Sequence, residues 1–372
     1  MDERAFVVVF PSIFARGKQS LLIQNIRKIL KMQNQPFSRI TRDGDIIIVD
    51  ANDPVFASSA INLLFGVSRI CIARQVENKF DTVVSEIAKI GSSLLLRGEQ
   101  FHVKVEGHAS GYIPKDVEVA ATSALIEGAQ KSDCRPGTEE KHDKQIFCFL
   151  TRKNAYVSIF LDEGHGGVPY NAQGQKILCC IHDELSAVAC LEAVKQGFDV
   201  RVILCYSDSN LHDLAKMVNR IIPRIVRPEV PLEFFKMPKS TGSAKSVLQR
   251  SLVASHIMCD VAKKGGVTRV GLALCPLVHP AWFIDKNSEL VRKSGLSPWV
   301  LLAGIDQGII KTAKEIGLGK YLGRLEKLGA LYSAKESAIP QDTVQKAKKS
   351  GRGIILRAGP NNVHEMLDFV NH

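Results

Sequence analysis

The histidine and acidic side chains best placed for chemistry lie together at the turn after an apolar strand. His182, Asp183 and Glu184 directly follow Lys176–Ile181, and imidazole and carboxylate groups serve as general acids, bases and metal ligands. Three adjacent residues at a strand–helix turn do not all point one way, and no second cluster completes a metal shell. We therefore expect a capped helix start, with a metal or catalytic role as the alternative.

Thiols are the other candidates for nucleophilic chemistry. The nine cysteines contain no CxxC pair, so neither a disulfide framework nor a zinc or iron–sulfur site is indicated. Cys179 and Cys180 point to opposite faces of a strand that should be buried on both, where thiols act as small apolar side chains. Cys275, before Pro276 at a strand end, is the best-placed single thiol. We predict structural roles for all three, with a reactive role as the alternative.

Length, composition and charge limit the class of protein. The 372 residues, 45% hydrophobic and 23% charged, predict two or three globular domains. The acidic start MDERAFVVVF is unlike a secretory leader, and no stretch approaches the roughly 20 uncharged apolar residues of a membrane-spanning helix. We expect a cytoplasmic protein without a membrane partner.

The positive charge is concentrated in one part of the chain. Residues 1–200 contain 23 Lys+Arg and 24 Asp+Glu, whereas residues 201–372 contain 26 and 14. An excess of +12 in the second part is typical of a protein with a polyanion partner such as nucleic acid. The alternative is a protein with solvated lysine faces.

Two groups of elements are predicted before residue 165. Strands at Phe6–Phe10, Asp45–Val49 and Ser68–Val76 alternate with helices at Lys18–Met32 and Val55–Phe65, as in a small ferredoxin-like α+β sheet. The second group has helices at Thr82–Leu94 and Val117–Gly128, an exposed loop at Ala129–Gln145, and strands at Gln100–Val105, Ile146–Leu150 and Ala155–Asp162. Gly164–Gly167 is the best candidate linker.

The rest of the chain alternates strand and helix at βαβ spacing. Apolar strands are predicted at Lys176–Ile181, Val200–Tyr206, Leu232–Phe235, Val270–Leu274, Trp299–Leu302 and Gly353–Leu356. Amphipathic helices are predicted at Leu185–Gln196, Leu211–Ile222 and Gln307–Ile316. Apolar strands between such helices indicate a Rossmann-like parallel sheet buried on both faces.

The order of several motifs resembles the ThiI-like tRNA 4-thiouridine synthetase (tRNA sulfurtransferase) family. Residues 13–18 (IFARGK) resemble the family's "EIxLKGK", residues 65–68 (FGVS) its "FGIS", and residues 101–105 with Ile113-Pro114 its THUMP strand and following "FP". Residues 166–176 (GGVPYNAQGQK) resemble "GGLPVGTxGK", and residues 304–317 the "GxDKxEI" helix. The resemblance implies an N-terminal ferredoxin-like domain (1–80), a THUMP RNA-binding domain (81–165) and a PP-loop ATP-pyrophosphatase-type domain (166–372).

The nucleotide loop departs from the family pattern. The family's SGGxDS cradles ATP pyrophosphate with bare glycine amides at a helix start; the segment here is Ile181-His182-Asp183-Glu184-Leu185-Ser186, in which only Ser186 matches. Two carboxylates stand where a triphosphate would lie. The family's "TGESLGQVASQ" has no counterpart at residues 272–276, and no cysteine follows Cys275, so the late cysteine pair is absent. We expect loss of adenylation and sulfur transfer, and no cofactor, although ATP with Mg²⁺ would be the cofactor of a working site.

The resemblance also implies RNA-contacting residues. Lys104 and Lys115 flank the THUMP strand, and Arg16 and Lys18 belong to the first domain; all four are candidate phosphate contacts. For each, a solvated surface charge is the alternative. Residues 216–227 (KMVNRIIPRIVR) and 346–352 (KAKKSGR) are alternative polyanion surfaces.

Three functions follow from these observations. The first is a tRNA- or structured-RNA-binding pseudoenzyme, with a homodimer or a partner sulfur-transfer or RNA-modifying enzyme as further expectations. The second is an active RNA-modifying enzyme with a reshaped ATP site. The third is a Rossmann-like enzyme or assembly protein without an RNA role.

Overall fold

The computed structural model describes residues 4–109, 111–128, 133–239, 241–323, 329, 331–336, 338–357 and 362–372. The chain divides into two compact units. The first comprises Met1–Asn62 and Gly66–Gly166, and the second comprises Leu63–Phe65 and Gly167–His372. The ranges 1–80 and 81–165 both fall in the first unit, and their separation into two domains stays a prediction.

One eight-stranded sheet forms the centre of the first unit. Its strands are β1 (Ala5–Pro11), β2 (Phe37–Asp43), β3 (Ile46–Ala51), β4 (Val67–Glu77), β5 (Gln100–Gly107), β6 (Arg135–Pro136), β7 (Lys144–Leu150) and β8 (Asn154–Gly166). Their order is β2-β3-β1-β4-β8-β7-β5-β6. Neighbours are antiparallel except that β5 runs parallel to β6 and to β7.

Four helices belong to this unit: α1 (Gln19–Met32), α2 (Pro54–Ile61), α3 (Phe80–Leu94) and α4 (Pro114–Gly128). The apolar stripe predicted for α1 is confirmed, because Leu22, Ile26, Ile29 and Leu30 are fully buried. Each such side chain contributes about 1.5–3 kcal/mol through burial. The cations of α1 are left on its outer side.

The sheet of the first unit curls over a second apolar cluster. Val8, Phe10, Ile48 and Phe147 belong to this cluster. Asp43, at the end of β2, accepts hydrogen bonds from Thr151 Oγ1 (2.8 Å), Asn154 Nδ2 (2.8 Å) and Tyr156 Oη (2.7 Å). Because β2 and β8 are four strand spacings apart, a flat sheet would separate them by roughly 19 Å. These hydrogen bonds therefore require strong curvature.

The second unit contains a six-stranded sheet. Its strands are β9 (Lys176–Ile181), β10 (Asp199–Tyr206), β11 (Glu229–Lys236), β12 (Arg269–Leu272), β13 (Ser297–Val300) and β14 (Arg352–Arg357), in the order β13-β12-β9-β10-β11-β14. The first five strands are parallel. The predicted α/β class is confirmed, and Cys179 and Cys180 are both buried, as expected for a sheet covered on both faces.

The helices of the second unit pack in two groups. They are α5 (Glu184–Lys195), α6 (Leu211–Ile221), α7 (Ala244–Lys264), α8 (Ala281–Lys293), α9 (Gln307–Ala313), α10 (Gln341–Lys349) and α11 (Val363–Asn371). Helix α5 packs against α6 and α9, and α7 packs against α8 and α10, while both α5 and α7 contact β9. The turn between β9 and α5 thus lies at the carboxyl edge of a central strand, where α/β sheets bind ligands.

Several predictions about elements need correction. The sheet of the second unit is not wholly parallel, since β14 pairs antiparallel with β11 at the edge. No strand was predicted at β2, whose outward residues are polar, as suits an edge strand. The predicted helix Val55–Phe65 ends at Ile61. In the predicted loop Ala129–Gln145, residues 129–132 lie outside the described part, and β6 and the start of β7 occupy later positions.

The glycine-rich segment Gly164–Gly167 is not a free linker. Strand β8 continues through Gly166, which pairs with Val67, and Gly66 N donates to Gly166 O at 2.6 Å. A Cβ atom on Gly164 would lie 2.4 Å from the carbonyl oxygen of Val67. Glycine is needed here for close backbone packing rather than for flexibility.

None of the described helices has the length and apolar character to span a membrane.

Candidate functional site

The turn between β9 and α5 is closed by its own side chains. Asp183 is the N-cap of α5, and its Oδ1 accepts a hydrogen bond from Ser186 N at 2.9 Å. The amides of His182 and Asp183 both donate to Ser186 Oγ at 2.9 Å. This reciprocal capping box satisfies three of the amides at the helix start, the region where a phosphate would bind. The predicted cap is confirmed.

The backbone around this turn has no room for a glycine-type cradle. Ile181 is fully buried, and the backbone of Asp183 is extended with φ −159°. His182 Nε2 lies 3.1 Å from Ser251 Oγ of α7 and 3.8 Å from the Asp183 carboxylate. The imidazole is thus held against α7.

An open cleft of about 520 Å³ lies beside this turn. Its charged lining side chains are Asp183, Glu184, Asp213, Arg250 and, when protonated, His182. Three carboxylates face one permanent cation, so the cleft repels a triphosphate. Within the described residues, no group of three or more His, Cys, Asp or Glu side chains could hold a metal ion.

The cysteines are enclosed in the core. All nine are free and buried. A hydrogen bond with Cys190, together with burial, raises the pKa of Cys179, and burial raises the pKa of Cys180 and of Cys275. Burial also raises the pKa of Cys71 to about 12. Since the thiolate is the nucleophile, the arrangement favours structural thiols.

We expect none of the nine thiols to react with Ellman's reagent in the folded protein, and all nine to react in guanidinium chloride. Raising the buffer pH from about 7 to 9 should accelerate the native reaction little, because burial keeps the reagent away from the thiols. Fast stoichiometric reaction of one native thiol would contradict this. If one native thiol did react fast, the Cys275→Ala variant, which has one thiol fewer after unfolding, would show whether that thiol is Cys275.

The two lysines predicted to contact RNA near β5 are held by acids. Lys104 lies 2.6 Å from Glu139 and 3.8 Å from Glu106, and Lys115 lies 2.8 Å from Glu118. The pKa of each lysine is raised, chiefly by its hydrogen bond to Glu139 or Glu118. The side chain of Lys115 is 73% exposed, whereas that of Lys104 is only 31% exposed.

Arg16 and Lys18 are better placed for a polyanion. Both are exposed on the 3₁₀ turn Arg16–Lys18 that leads into α1. The first turn of α1 contains no acid. Along the sheet, β4, β8 and β7 separate this region of β1 from β5, so the four predicted RNA contacts do not form one cluster.

A cationic segment around these two residues was missed by the sequence analysis. Residues 4–42 contain eight arginines and lysines and no aspartate or glutamate. We call this stretch the cationic segment; all eight cations are exposed, and they are Arg4, Arg16, Lys18, Arg27, Lys28, Lys31, Arg39 and Arg42. Arg4 pairs with Asp50 at 2.7 Å. Arg42 Nη2 donates to Ser20 Oγ at 2.6 Å and so connects β2 with the start of α1. The absence of acids over this stretch is a signal that the sequence contains. It does not show in the charge of residues 1–200 taken together, because the acids elsewhere in that range cancel these cations.

Two of the four cations in the alternative basic stretch at residues 216–227 are engaged inside the second unit. Arg224 is 6% exposed, lies over the Phe65 ring at 5.7 Å and donates to Leu63 O at 3.2 Å. Arg227 pairs with Asp199. In the other stretch, Lys348 pairs with Asp260 at 2.8 Å. These three cations contribute little to a polyanion surface, whereas Arg220, Lys346, Lys349 and Arg352 are exposed.

Comparison with curated proteins gives consistent relatives. The chain is similar to probable tRNA sulfurtransferases from three organisms. The Methanosarcina acetivorans protein is 26% identical over 53% of this chain and 48% of the relative. The Clostridium perfringens protein is 26% identical over 71% of each chain, and the Thermococcus kodakarensis protein is 21% identical over 81% of this chain and 83% of the relative. The chain spans about half the length of the Methanosarcina proteins it matches. No family model matches the chain.

Two solved structures share the fold. One is PH1313 from Pyrococcus horikoshii, with a TM-score of 0.63, 18% identity, and coverage of 84% of this chain and all of that chain. The other is a 4-thiouridine synthetase in complex with RNA and bound ATP, with a TM-score of 0.66, 13% identity, and coverage of 95% of this chain and all of that chain. The resemblance inferred from the motifs is thereby confirmed: the chain is similar in sequence to probable tRNA sulfurtransferases and similar in fold to a 4-thiouridine synthetase.

Proposed function

We propose that this chain binds tRNA or another structured RNA and has lost the adenylation and sulfur-transfer chemistry of its relatives. The cationic segment is the observation that carries the proposal. Eight exposed cations on one stretch without acids, of which Arg4 pairs with Asp50 beyond the stretch, suit binding to a phosphate backbone. Residues 1–165 would supply the RNA-binding part and residues 166–372 a PP-loop-like part.

The comparisons support the RNA part of this proposal. A structural relative was crystallised with RNA, and the curated relatives are probable tRNA sulfurtransferases. Recognition of folded RNA depends on shape and on phosphate and sugar contacts more than on base sequence. A curved domain with a fixed set of surface cations suits that mode.

The closed turn supports the loss of chemistry. The side chains of Asp183 and Ser186 occupy the start of α5, where ATP pyrophosphate would bind in a working site. The second candidate is an RNA-modifying enzyme with a reshaped nucleotide site. It is favoured by the open cleft beside the turn and by Arg250, a cation that lines this cleft. The two candidates differ in whether ATP binds.

Calorimetry with Mg-ATP and with tRNA tests both parts. We expect no ATP binding tighter than about 1 mM, equivalent to roughly 4 kcal/mol. Structured tRNA should bind more tightly than an equally long single strand, with an affinity that falls steeply with salt. A micromolar ATP isotherm abolished by Ser186→Ala would replace the pseudoenzyme with the second candidate. Equal affinity for tRNA and heparin would reduce the charge to a nonspecific polyanion surface.

A further inference from the structure

Two apolar side chains stand at the tip of a fixed turn after β1. Ala15 N donates to Ser12 O at 2.9 Å, which makes Ile13 and Phe14 the central residues of a β-turn. Ile13 is 72% exposed and Phe14 is 66% exposed, whereas Ser12 and Ala15 are 4% and 0% exposed. Ser12 N also donates to Gly66 O at 2.8 Å, which attaches the turn to the start of β4. The backbone is anchored while both apolar side chains face solvent.

This composition is unusual for a turn. Central turn positions normally carry Gly, Pro, Asn, Asp or Ser, whose side chains suit tight backbone conformations and water. An isoleucine and a phenylalanine contribute little to the core from this position, since most of their surface stays exposed. Local rules are most often broken at functional sites.

The surroundings of the turn are cationic. Phe14 is followed within four residues by the exposed Arg16 and Lys18, and Arg42 is tied to Ser20 one turn further on. A Cβ atom built on Gly17 would meet nothing within 4 Å, so the surface between Arg16 and Lys18 is open.

An aromatic ring beside arginine and lysine matches the chemistry of an unpaired nucleotide. The base stacks on the ring and the phosphates on either side pair with the cations. Bases inside a duplex are already stacked and cannot reach the ring. An anionic membrane fits less well, because interfacial binding uses the long apolar face of a helix rather than two side chains.

We propose that Phe14 is a stacking platform for an unpaired nucleotide of the bound RNA, with Arg16 and Lys18 holding the adjacent phosphates. This inference rests on the proposed RNA-binding function and specifies which part of the RNA the cationic segment reads.

Phe14→Ala, Phe14→Trp and Phe56→Ala would be compared by fluorescence anisotropy with two probes, a labelled hairpin RNA carrying a short single-stranded extension and the same hairpin with a blunt end. Phe56, at the start of α2, is the matched control because it is 63% exposed. Phe14→Ala should weaken binding of the extended hairpin roughly tenfold, the order of one lost base–aromatic stack. The blunt hairpin should be little affected, Phe14→Trp should retain affinity, and Phe56→Ala should match the wild type.

Salt dependence separates stacking from charge. Phe14→Ala should leave the slope of log K against log salt unchanged, whereas Arg16→Ala should lower its magnitude by about 0.7–0.9. Equal losses for both hairpins, or no loss, in a protein that still binds RNA would overturn the stacking role alone. Wild-type protein that binds neither hairpin at low salt would remove the proposed function as well. Binding to phosphatidylserine vesicles that Phe14→Ala abolishes would instead assign the turn to a membrane surface.

Discussion

Replacing Arg16 and Lys18 together by alanine is expected to weaken tRNA binding roughly 10- to 60-fold at 0.1 M salt, because each phosphate contact contributes up to about 0.9 log units relative to 1 M salt. The slope of log K against log salt should fall in magnitude by nearly two. Filter binding over a salt series measures both quantities. The fold should not change, since both side chains are exposed.

The matched control removes the same number of positive charges elsewhere in the first unit. Lys104→Ala with Lys115→Ala should reduce affinity several-fold less, because Glu139 and Glu118 already neutralise these lysines. A larger loss from this pair than from Arg16 and Lys18 would show that RNA lies on β5 and α4 and that the cationic segment is a solvated face.

Asp43→Ala is expected to destabilise the first unit by about 2–4 kcal/mol. A hydrogen bond to a charged group is worth about 1.5–3 kcal/mol, and of the three donors that lose Asp43, Thr151 Oγ1 keeps Asn154 O as an acceptor and the half-buried Asn154 can bond water, so the loss comes mainly from Tyr156. Tyr156 is 1% exposed, and its burial and, as the second cause, its hydrogen bond to Asp43 raise the pKa of its hydroxyl. The hydroxyl therefore stays protonated and needs an acceptor for its hydrogen. Urea denaturation followed by circular dichroism measures the change.

Asp45→Ala is the control for this substitution, because Asp45 lies in the same turn but is exposed. Asp43→Asn, which keeps one acceptor oxygen and loses the charge, should fall between the wild type and Asp43→Ala. An Asp43→Ala protein as stable as Asp45→Ala would mean that apolar burial alone maintains the curl of the sheet.

The cap of α5 could be predicted because its signals are local. Asp183 lies two residues after an apolar strand, and Ser186 follows it at the spacing of a capping box. The pairing of Lys104 was not predictable in this way. Its partner Glu139 is 35 residues away, in a stretch expected to be an exposed loop. Only the parallel placement of β5 beside β6 and β7 brings the two side chains together.

Other parts of the fold could not be predicted from the sequence, for different reasons. Helix α7, 21 residues long, was not predicted because polar residues such as Arg250 and Ser255 interrupt its apolar pattern, although both are buried. The antiparallel direction of β14 depends on the path of the chain between it and β11, which no local pattern encodes. Ile13 and Phe14 are ordinary apolar residues in the sequence, and only the structure shows that most of their surface is exposed.

The antiparallel edge strand β14 has a consequence for the order in which this protein can fold on the ribosome. Strand β11 pairs with β10 on one side and with β14 on the other, and Lys236 N donates to Ser350 Oγ across a separation of 114 residues. While the chain is being translated, the outer edge of β11 stays unpaired long after its inner neighbours exist, and such an edge can pair with another chain. Nascent chains released before β14 emerges should therefore depend on chaperones far more than the finished protein does.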